Sequence, residues 1–376
     1  MRKVGGEWTA IVDADVHESL RSINDLMPYL DAPWQRYITE CRFTGIPGDP
    51  YVATAHGGRR ADSWPADGGP PGSDYDLVRQ HVFDEHNIDY LILTGHFYRL
   101  STMPQSDFAV ALMSAYNDWL IDTWLARDSR IYGSLQVALQ DPAATAREID
   151  RLGSHPQIVQ IVLPCVAQLA LGHPAYHPVY EAAVRNGLAV AVHPSSFSGS
   201  AASAALVGSH PRTYLEYHQN FALAYQAQLT NLVLEGVLDR FPEMRLVLLE
   251  GGFTWVPHLM WTLDAHWRSL QLEVPWLRRR PSEYILEQVT FGTQPVVVPD
   301  DVEHLIQVVQ MFDGQDRLLF ATDYPHWDFD SPTQFLPASV PTEWRRRILG
   351  SNALQLYGLP QPAEPAEAAS ARRAAP

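Results

Sequence analysis

Three apolar stretches far apart in the chain each hand over to a side chain that can bind a cation. Leu188-Ala189-Val190-Ala191-Val192 runs into His193, Leu246-Val247-Leu248-Leu249 into Glu250, and Leu318-Leu319-Phe320-Ala321-Thr322 into Asp323. A fourth piece near the start, Asp13-Ala14-Asp15-Val16-His17, carries acids and an imidazole of its own. Short aliphatic runs bounded by turn formers read as fully buried strands, the kind a parallel sheet uses. A parallel barrel brings all its strand ends to one rim, where gathered carboxylates and imidazoles make a divalent metal site.

The rest of the chain keeps the same rhythm. Strand signals fall near 9–14, 88–94, 131–137, 158–163, 188–193, 245–250, 287–292 and 317–323, and helical periodicity near 105–126, 142–153, 177–186, 213–239, 254–271 and 299–312. Eight strands alternating with helices in 376 residues predict an α/β fold, a (β/α)8 TIM-type barrel with the metal site at the C-terminal ends of the strands. An open dinucleotide-binding sheet fits less well, because no Gly-x-Gly-x-x-Gly follows the first strand. Residues 1–360 read as one barrel domain closed by a helix over 344–358, and 361–376 as a disordered Pro/Ala/Glu-rich tail. The Gly/Pro-rich stretch at about 43–77 interrupts the pattern on the active face. It is either a substrate-covering insertion or a mobile surface excursion.

Composition removes several function classes. The net charge of −16 lacks the basic footprint that phosphate backbones require, so no nucleic acid is expected as a partner. Lys3 is the only lysine. A Schiff-base lysine, a P-loop lysine and a carbamylated lysine bridging two metals are therefore all missing from the interior. Cys41 and Cys165 make neither a disulfide framework nor a thiolate cluster, and Cys165 reads as a small buried hydrophobe. No apolar segment suits a membrane span or a secretion signal, so a cytoplasmic setting and no membrane partner are expected.

Asp15 and His17 are two apart, so on a strand both point to one face and can reach one ion. His193 and Asp323 would join them from the fifth and eighth strands. Two carboxylates and two imidazoles suit one divalent ion, Zn or Mn, with positions left for water and substrate. The fourth strand, Ile158-Val159-Gln160-Ile161-Val162-Leu163, offers only Gln160 and adds no carboxylate or imidazole.

These pieces resemble the amidohydrolase superfamily. Asp13-Ala14-Asp15-Val16-His17 is similar to its opening Asp-x-His-x-His motif, Val192-His193-Pro194 to its fifth-strand motif, and Ala321-Thr322-Asp323-Tyr324-Pro325-His326 to its eighth-strand motif. Asp239-Arg240-Phe241-Pro242 with Leu248-Leu249-Glu250-Gly251-Gly252, and the closing Arg347-Ile348-Leu349-Gly350-Ser351-Asn352-Ala353, point to the amidohydrolase-2 group. That group holds the aminocarboxymuconate-semialdehyde and γ-resorcylate decarboxylases. The resemblance covers residue 9 to about 358. It implies a metal-dependent enzyme, a small carboxylic acid as substrate and a homodimer. The activity it implies first is a non-oxidative decarboxylase (carboxy-lyase) of an aromatic or unsaturated acid. A hydrolase of a lactone, amide or activated C–C bond is the alternative, and a non-catalytic ligand-binding barrel a third reading. The chain departs from the family pattern at two places. Asp15 replaces the first histidine of the His-x-His pair, and Glu250 stands where relatives place a catalytic histidine.

The expected catalytic groups are thus Asp323, Glu250 and His218, and the expected metal ligands Asp15, His17, His193 and Asp323. Glu250 could act as acid or base, bind the ion, or orient His218. His96, Tyr98, Arg268 and His326 are candidates to line the substrate pocket, Arg268 as a carboxylate clamp. His173 and His177 read as structural. Trp255, Trp261 and Trp267 read as a helical stripe facing core or a subunit interface.

Overall fold

The computed structural model describes residues 3–4, 7–46, 58–195 and 211–362. The expected tail therefore lies almost wholly outside the described residues, as do 47–57 of the Gly/Pro-rich stretch.

Eight strands form one parallel sheet whose spatial order follows the chain: β1 (Val12–Val16), β2 (Tyr90–Leu93), β3 (Ile131–Gln136), β4 (Ile158–Pro164), β5 (Ala189–His193), β6 (Leu246–Leu248), β7 (Val289–Gly292) and β8 (Leu318–Leu319). Each expected strand has its counterpart. The sheet closes on itself: Ala14 N donates to Phe320 O (2.9 Å), His17 N donates to Tyr324 O (2.8 Å), and Val16 bridges Tyr324 in parallel. Asp13 staples the same seam, accepting from Thr322 N (2.9 Å) and Thr322 Oγ1 (2.6 Å). The chain is a (β/α)8 barrel. Ahead of it, Lys3–Val4 pairs antiparallel with Glu7–Trp8.

The principal helices are α1 (Ala32–Cys41), α2 (Ser106–Leu120), α3 (Pro142–Leu152), α4 (His177–Arg185), α5 (Tyr214–Leu234), α6 (Val256–Leu270), α7 (Pro281–Gln288) and α8 (Val302–Gln310). None of the described helices is long and apolar enough to cross a membrane. Three differences from the expected pattern have local causes. The helix expected over 213–239 stops at Leu234, because Gly236 turns left-handed (φ 74°) before a short helix, Val237–Arg240, resumes. α7 occupies the start of what reads as a strand from 287; Pro281 in its first turn and the buried Tyr284 and Ile285 settle it as helix. α1, which the sequence reading did not anticipate, is anchored by the buried Ile38 and by Trp34, whose ring packs against Phe108 (centroids 5.3 Å).

The core divides into two shells. Outward-facing strand residues pack against the helices, whereas Val12, Ala14, Ile92, Tyr132, Val159, Ala189, Ala191, Val247, Leu249 and Leu319 form an inner cluster. Ala353, Leu354, Tyr357 and Leu359 from the closing helical segment join that inner cluster. Tyr357 OH also donates to Gln160 Oε1 (2.9 Å), so the C-terminal segment seals the N-terminal mouth of the barrel. The other mouth is left for side chains of a different kind.

In β1 the inward phase changes along the strand. Val12 and Ala14 belong to the inner cluster but Val16 to the outer one, across a register irregularity between Asp13 and Val16. A bulge of this sort re-aims the residues that follow it. Here it puts Asp15 and His17 on the inward phase together.

Candidate metal centre

Asp15, His17, His193, Glu250 and Asp323 meet at the C-terminal mouth, all buried. One donor atom from each lies within 4.8 Å of every other. Asp15 and His17 come from the end of β1, His193 from the last residue of β5, and Glu250 and Asp323 from just past β6 and β8. Both of these last two residues adopt left-handed backbone, φ 53° for Glu250 and 57° for Asp323. Such a conformation is uncommon outside glycine and costs about 1–3 kcal/mol where it persists.

The surrounding structure enforces it. Tyr225 of α5 donates its hydroxyl to Val192 O (3.0 Å) and also to Leu249 O, tying the ends of β5 and β6 to one phenol. A Cβ on Gly251 would meet the Tyr225 ring at 2.4 Å, so only glycine fits after Glu250. At the eighth strand, Asp323 N donates to Asp15 O (3.1 Å), which sets the two acids beside one another.

Each imidazole is oriented by its other nitrogen. His17 Nδ1 donates to Gly95 O (2.8 Å), which turns Nε2 toward Asp323 Oδ1 at 3.0 Å and Asp15 Oδ1 at 3.6 Å. His193 Nδ1 faces Tyr98 OH (2.6 Å) and Pro194 O (3.1 Å), leaving Nε2 at 3.2 Å from both Asp15 Oδ2 and Glu250 Oε2. Thr94 Oγ1 donates to Asp15 Oδ1 (2.6 Å). Partners of this type fix tautomer and ring direction in metal sites. Asp323 Oδ2 is buried with no hydrogen-bond partner.

The charges do not balance within the protein. Burial drives the Asp323 carboxyl well above its ordinary range, and Glu250, Asp328 and Asp15 add to the rise. Burial likewise lifts Glu250 to about 7 against the pull of His193. Burial pushes His17 down to about 3. Asp15 alone is held low: burial opposes its charge, but His193 and His17 together outweigh it. Three buried carboxylates facing two imidazoles cannot all ionise without a cation among them. A divalent ion resolves that conflict and occupies the idle Asp323 oxygen, so the donor set fits Zn or Mn.

Around this cluster the other expected residues separate. His96 stacks on His17 (centroids 4.5 Å, planes 7° apart), and His326 Nδ1 lies 2.7 Å from Asp323 Oδ1. Tyr98 touches His193 as described. His218 stands farther out, its Nε2 3.3 Å from Asp328 Oδ2, among the rings of Phe221, Tyr214 and Trp327. Gln160 is turned away, donating to Ser134 Oγ (2.8 Å) and accepting from Tyr357. Cys165 is buried beside Ser195, and burial raises its thiol to about 12. His173 caps a 3-10 turn through Ala175 N.

Two expectations need correction. Arg268 is not brought to the site. It is exposed near the C-terminus of α6, which runs back toward the opposite mouth, and it donates to Asp264 O of its own helix (3.3 Å). The tryptophans do not form one stripe: a spacing of six residues rotates each by about 240°. Trp255 donates to Gly251 O (2.9 Å), Trp267 is half-buried, and Trp261 is 55% exposed.

Sequence reasoning did not single out Arg59, Thr94, Gly95 or Asp328. Arg59 lies in the Gly/Pro-rich stretch and bridges His326 antiparallel, while Arg60 N donates to Pro325 O (2.9 Å). Its guanidinium is largely buried, and Asp323 and Glu250 are among the charges that act on it. At the other end of the stretch Gly72 (φ 81°) packs against His17 O so closely that a Cβ would sit 2.2 Å away. A resemblance to strand-end motifs cannot reveal residues supplied by loops.

An amidohydrolase family model matches residues 12–359. The γ-resorcylate decarboxylase of Rhodococcus jostii is 25% identical over 302 residues, covering 75% of this chain and 87% of that protein. The crystal structure of 5-carboxyvanillate decarboxylase from Sphingomonas paucimobilis matches with a TM-score of 0.67 at 22% identity, over 93% of this chain and 99% of that one. The Novosphingobium aromaticivorans 5-carboxyvanillate decarboxylase, crystallised with manganese, gives 0.68 at 18% identity, over 93% and 96%. At those identities the structural likeness speaks for the barrel alone. From its first barrel strand to the end of its closing helix, this chain belongs to the amidohydrolase family.

Proposed function

We propose that the protein is a metal-dependent decarboxylase of small aromatic carboxylic acids. The observation that carries this reading is the buried donor cluster, sized for one ion, at the active mouth of a chain whose sequence relatives include γ-resorcylate decarboxylases. Asp15, His17, His193 and Asp323 would hold the ion. When bound, the ion supplies a Lewis acid that draws electron density from the substrate's oxygens.

The remaining work falls to protein side chains. Arg59, facing the same acids from its loop, offers a guanidinium for the substrate carboxylate. His326 and His96 brace Asp323 and His17 against displacement. Tyr214 and Trp327, the latter donating to the Tyr214 hydroxyl (3.3 Å), present ring faces suited to an aromatic substrate. Decarboxylation consumes one proton: a C–H bond forms, the C–C bond breaks, and its electron pair stays on the ring as CO2 leaves. His218 is the donor we assign. Burial works against its charge, but its pairing with Asp328 outweighs that and raises its basicity, which keeps a proton available near neutrality.

The test is headspace CO2 from metal-loaded protein over a panel of hydroxybenzoates and pyrone carboxylates. Release is expected, and Asp323→Ala should lose bound metal and turnover together. Turnover of a lactone or amide with no CO2 from any acid would replace this reading with metal-dependent hydrolysis. A homodimer in the cytoplasm completes the proposal, and light scattering on the eluted protein decides between one chain and two.

A further inference from the structure

Beside the metal centre, the loops after β1 and β2 and the Gly/Pro-rich stretch that carries Arg59 enclose a separate pocket of about 420 Å³. A pocket of that size holds a whole organic ligand, more than the outer edge of a one-ring acid on the ion would need. Its charge runs against that of the molecule. The chain carries 43 acids against 27 lysines and arginines, yet this lining sets Arg21, Arg59 and Arg99 against a single acid, Glu18, among the described residues. Glu18 is already engaged, accepting from Tyr116 OH (2.7 Å) and Gly95 N (2.9 Å). Arg21 is engaged too, with Asp67 and, at 3.6 Å, Asp74.

The other two guanidiniums shape what the pocket can take. Arg59 belongs to the inner end, since its charge bears on Asp323. Arg99 bears on Arg59 and on His96 as a like charge, a conflict that an anion in the pocket removes. The turn that carries Arg99 is held on both sides: Phe97 stacks on Tyr116 (centroids 4.5 Å), and Arg99 N donates to His96 O (3.2 Å). Leu20, Ile23, Ile46 and Phe97 supply apolar wall. His96 joins the two compartments, because the ring that stacks on His17 also lines this pocket.

We propose that this pocket receives the outer part of the substrate, which is an aromatic diacid longer than one ring, with its second carboxylate on Arg99. The carboxylate to be lost lies toward the ion and Arg59. The retained one stays bound to Arg99 and leaves with the product. This inference rests on the decarboxylase reading and adds to it the class of acid.

The test gives metal-loaded protein salicylate and counterparts that carry a carboxyalkyl chain of graded length across the ring from the reacting carboxyl. The KM read from CO2 release should be about tenfold or more lower for the best diacid than for salicylate. Arg99→Gln should shrink that preference about tenfold, and Arg99→Lys, which keeps the charge, should restore part of it. Equal KM values for salicylate and every diacid, or a preference that survives Arg99→Gln, would overturn the proposal. Thr44→Glu covers the case in which Arg99→Gln does not fold, since Thr44 is an exposed residue of the lining. The added acid should weaken the diacid preference, and an unmoved preference counts against the proposal. The two readings fail separately. Calorimetric binding of the diacid that Arg99→Gln weakens, with no CO2 from any acid, ends the decarboxylase reading and keeps this one. CO2 from salicylate with no preference for diacids does the reverse.

Discussion

The two mouths of this barrel are built from the same eight strands and obey opposite rules. At the N-terminal mouth, Ala10, Val12, Tyr132 and Val159 meet Leu354, Tyr357 and Leu359, and the polar Gln160 is satisfied by Ser134 and Tyr357. At the C-terminal mouth, three carboxylates and two imidazoles are buried together, two of them on left-handed backbone, and one carboxylate oxygen has no partner. One end lowers the free energy of the folded chain. The other raises it and is tolerated because the closed barrel over-determines it.

The comparison can be broken from either end. The largest effect after loss of the ion is expected at the active mouth, where His218→Gln should lower kcat by about 10²–10⁴-fold with unchanged bound metal. Steady-state CO2 release beside elemental analysis checks this, and a normal rate would move the proton donor elsewhere. Next comes the sealed mouth: Leu354→Ala should cost about 2–5 kcal/mol in denaturant unfolding while the folded fraction keeps its metal and rate. If it lost metal instead, the two mouths would not be independent.

The smallest effect lies in the loop after β8. Burial raises the Asp330 carboxyl to about 7, although it accepts from Val296 N at 3.3 Å. Its folded value exceeds the unfolded one, so the stabilisation is complete below about pH 4 and is lost as pH rises through about 7. Asp330→Asn should therefore show a shallower fall in thermal midpoint between pH 5 and 8 than wild type, at values to be set by the scan. Parallel curves would show that Asp330 is ionised throughout.

Much of the fold was legible because burial on both faces forces a parallel strand to be apolar throughout. β4 and β5 are buried along their whole length and read as strands without ambiguity. α7 was hidden because its eight residues are short for a periodicity signal and adjoin β7 directly. Arg268 misled for a related reason: proximity in sequence to Glu250 says nothing about which mouth a returning helix reaches.

By itself, the sequence determined the barrel and the strand-end acids and imidazoles that its mouth gathers, since those follow from strand period and strand-end position. The tertiary structure alone decided that Glu250 lies within reach of His193, that Arg59 pairs its backbone with that of His326, and that Asp328 partners His218. Those contacts join residues from different loops and elements, and nothing in the local pattern of a chain encodes where its loops come back together.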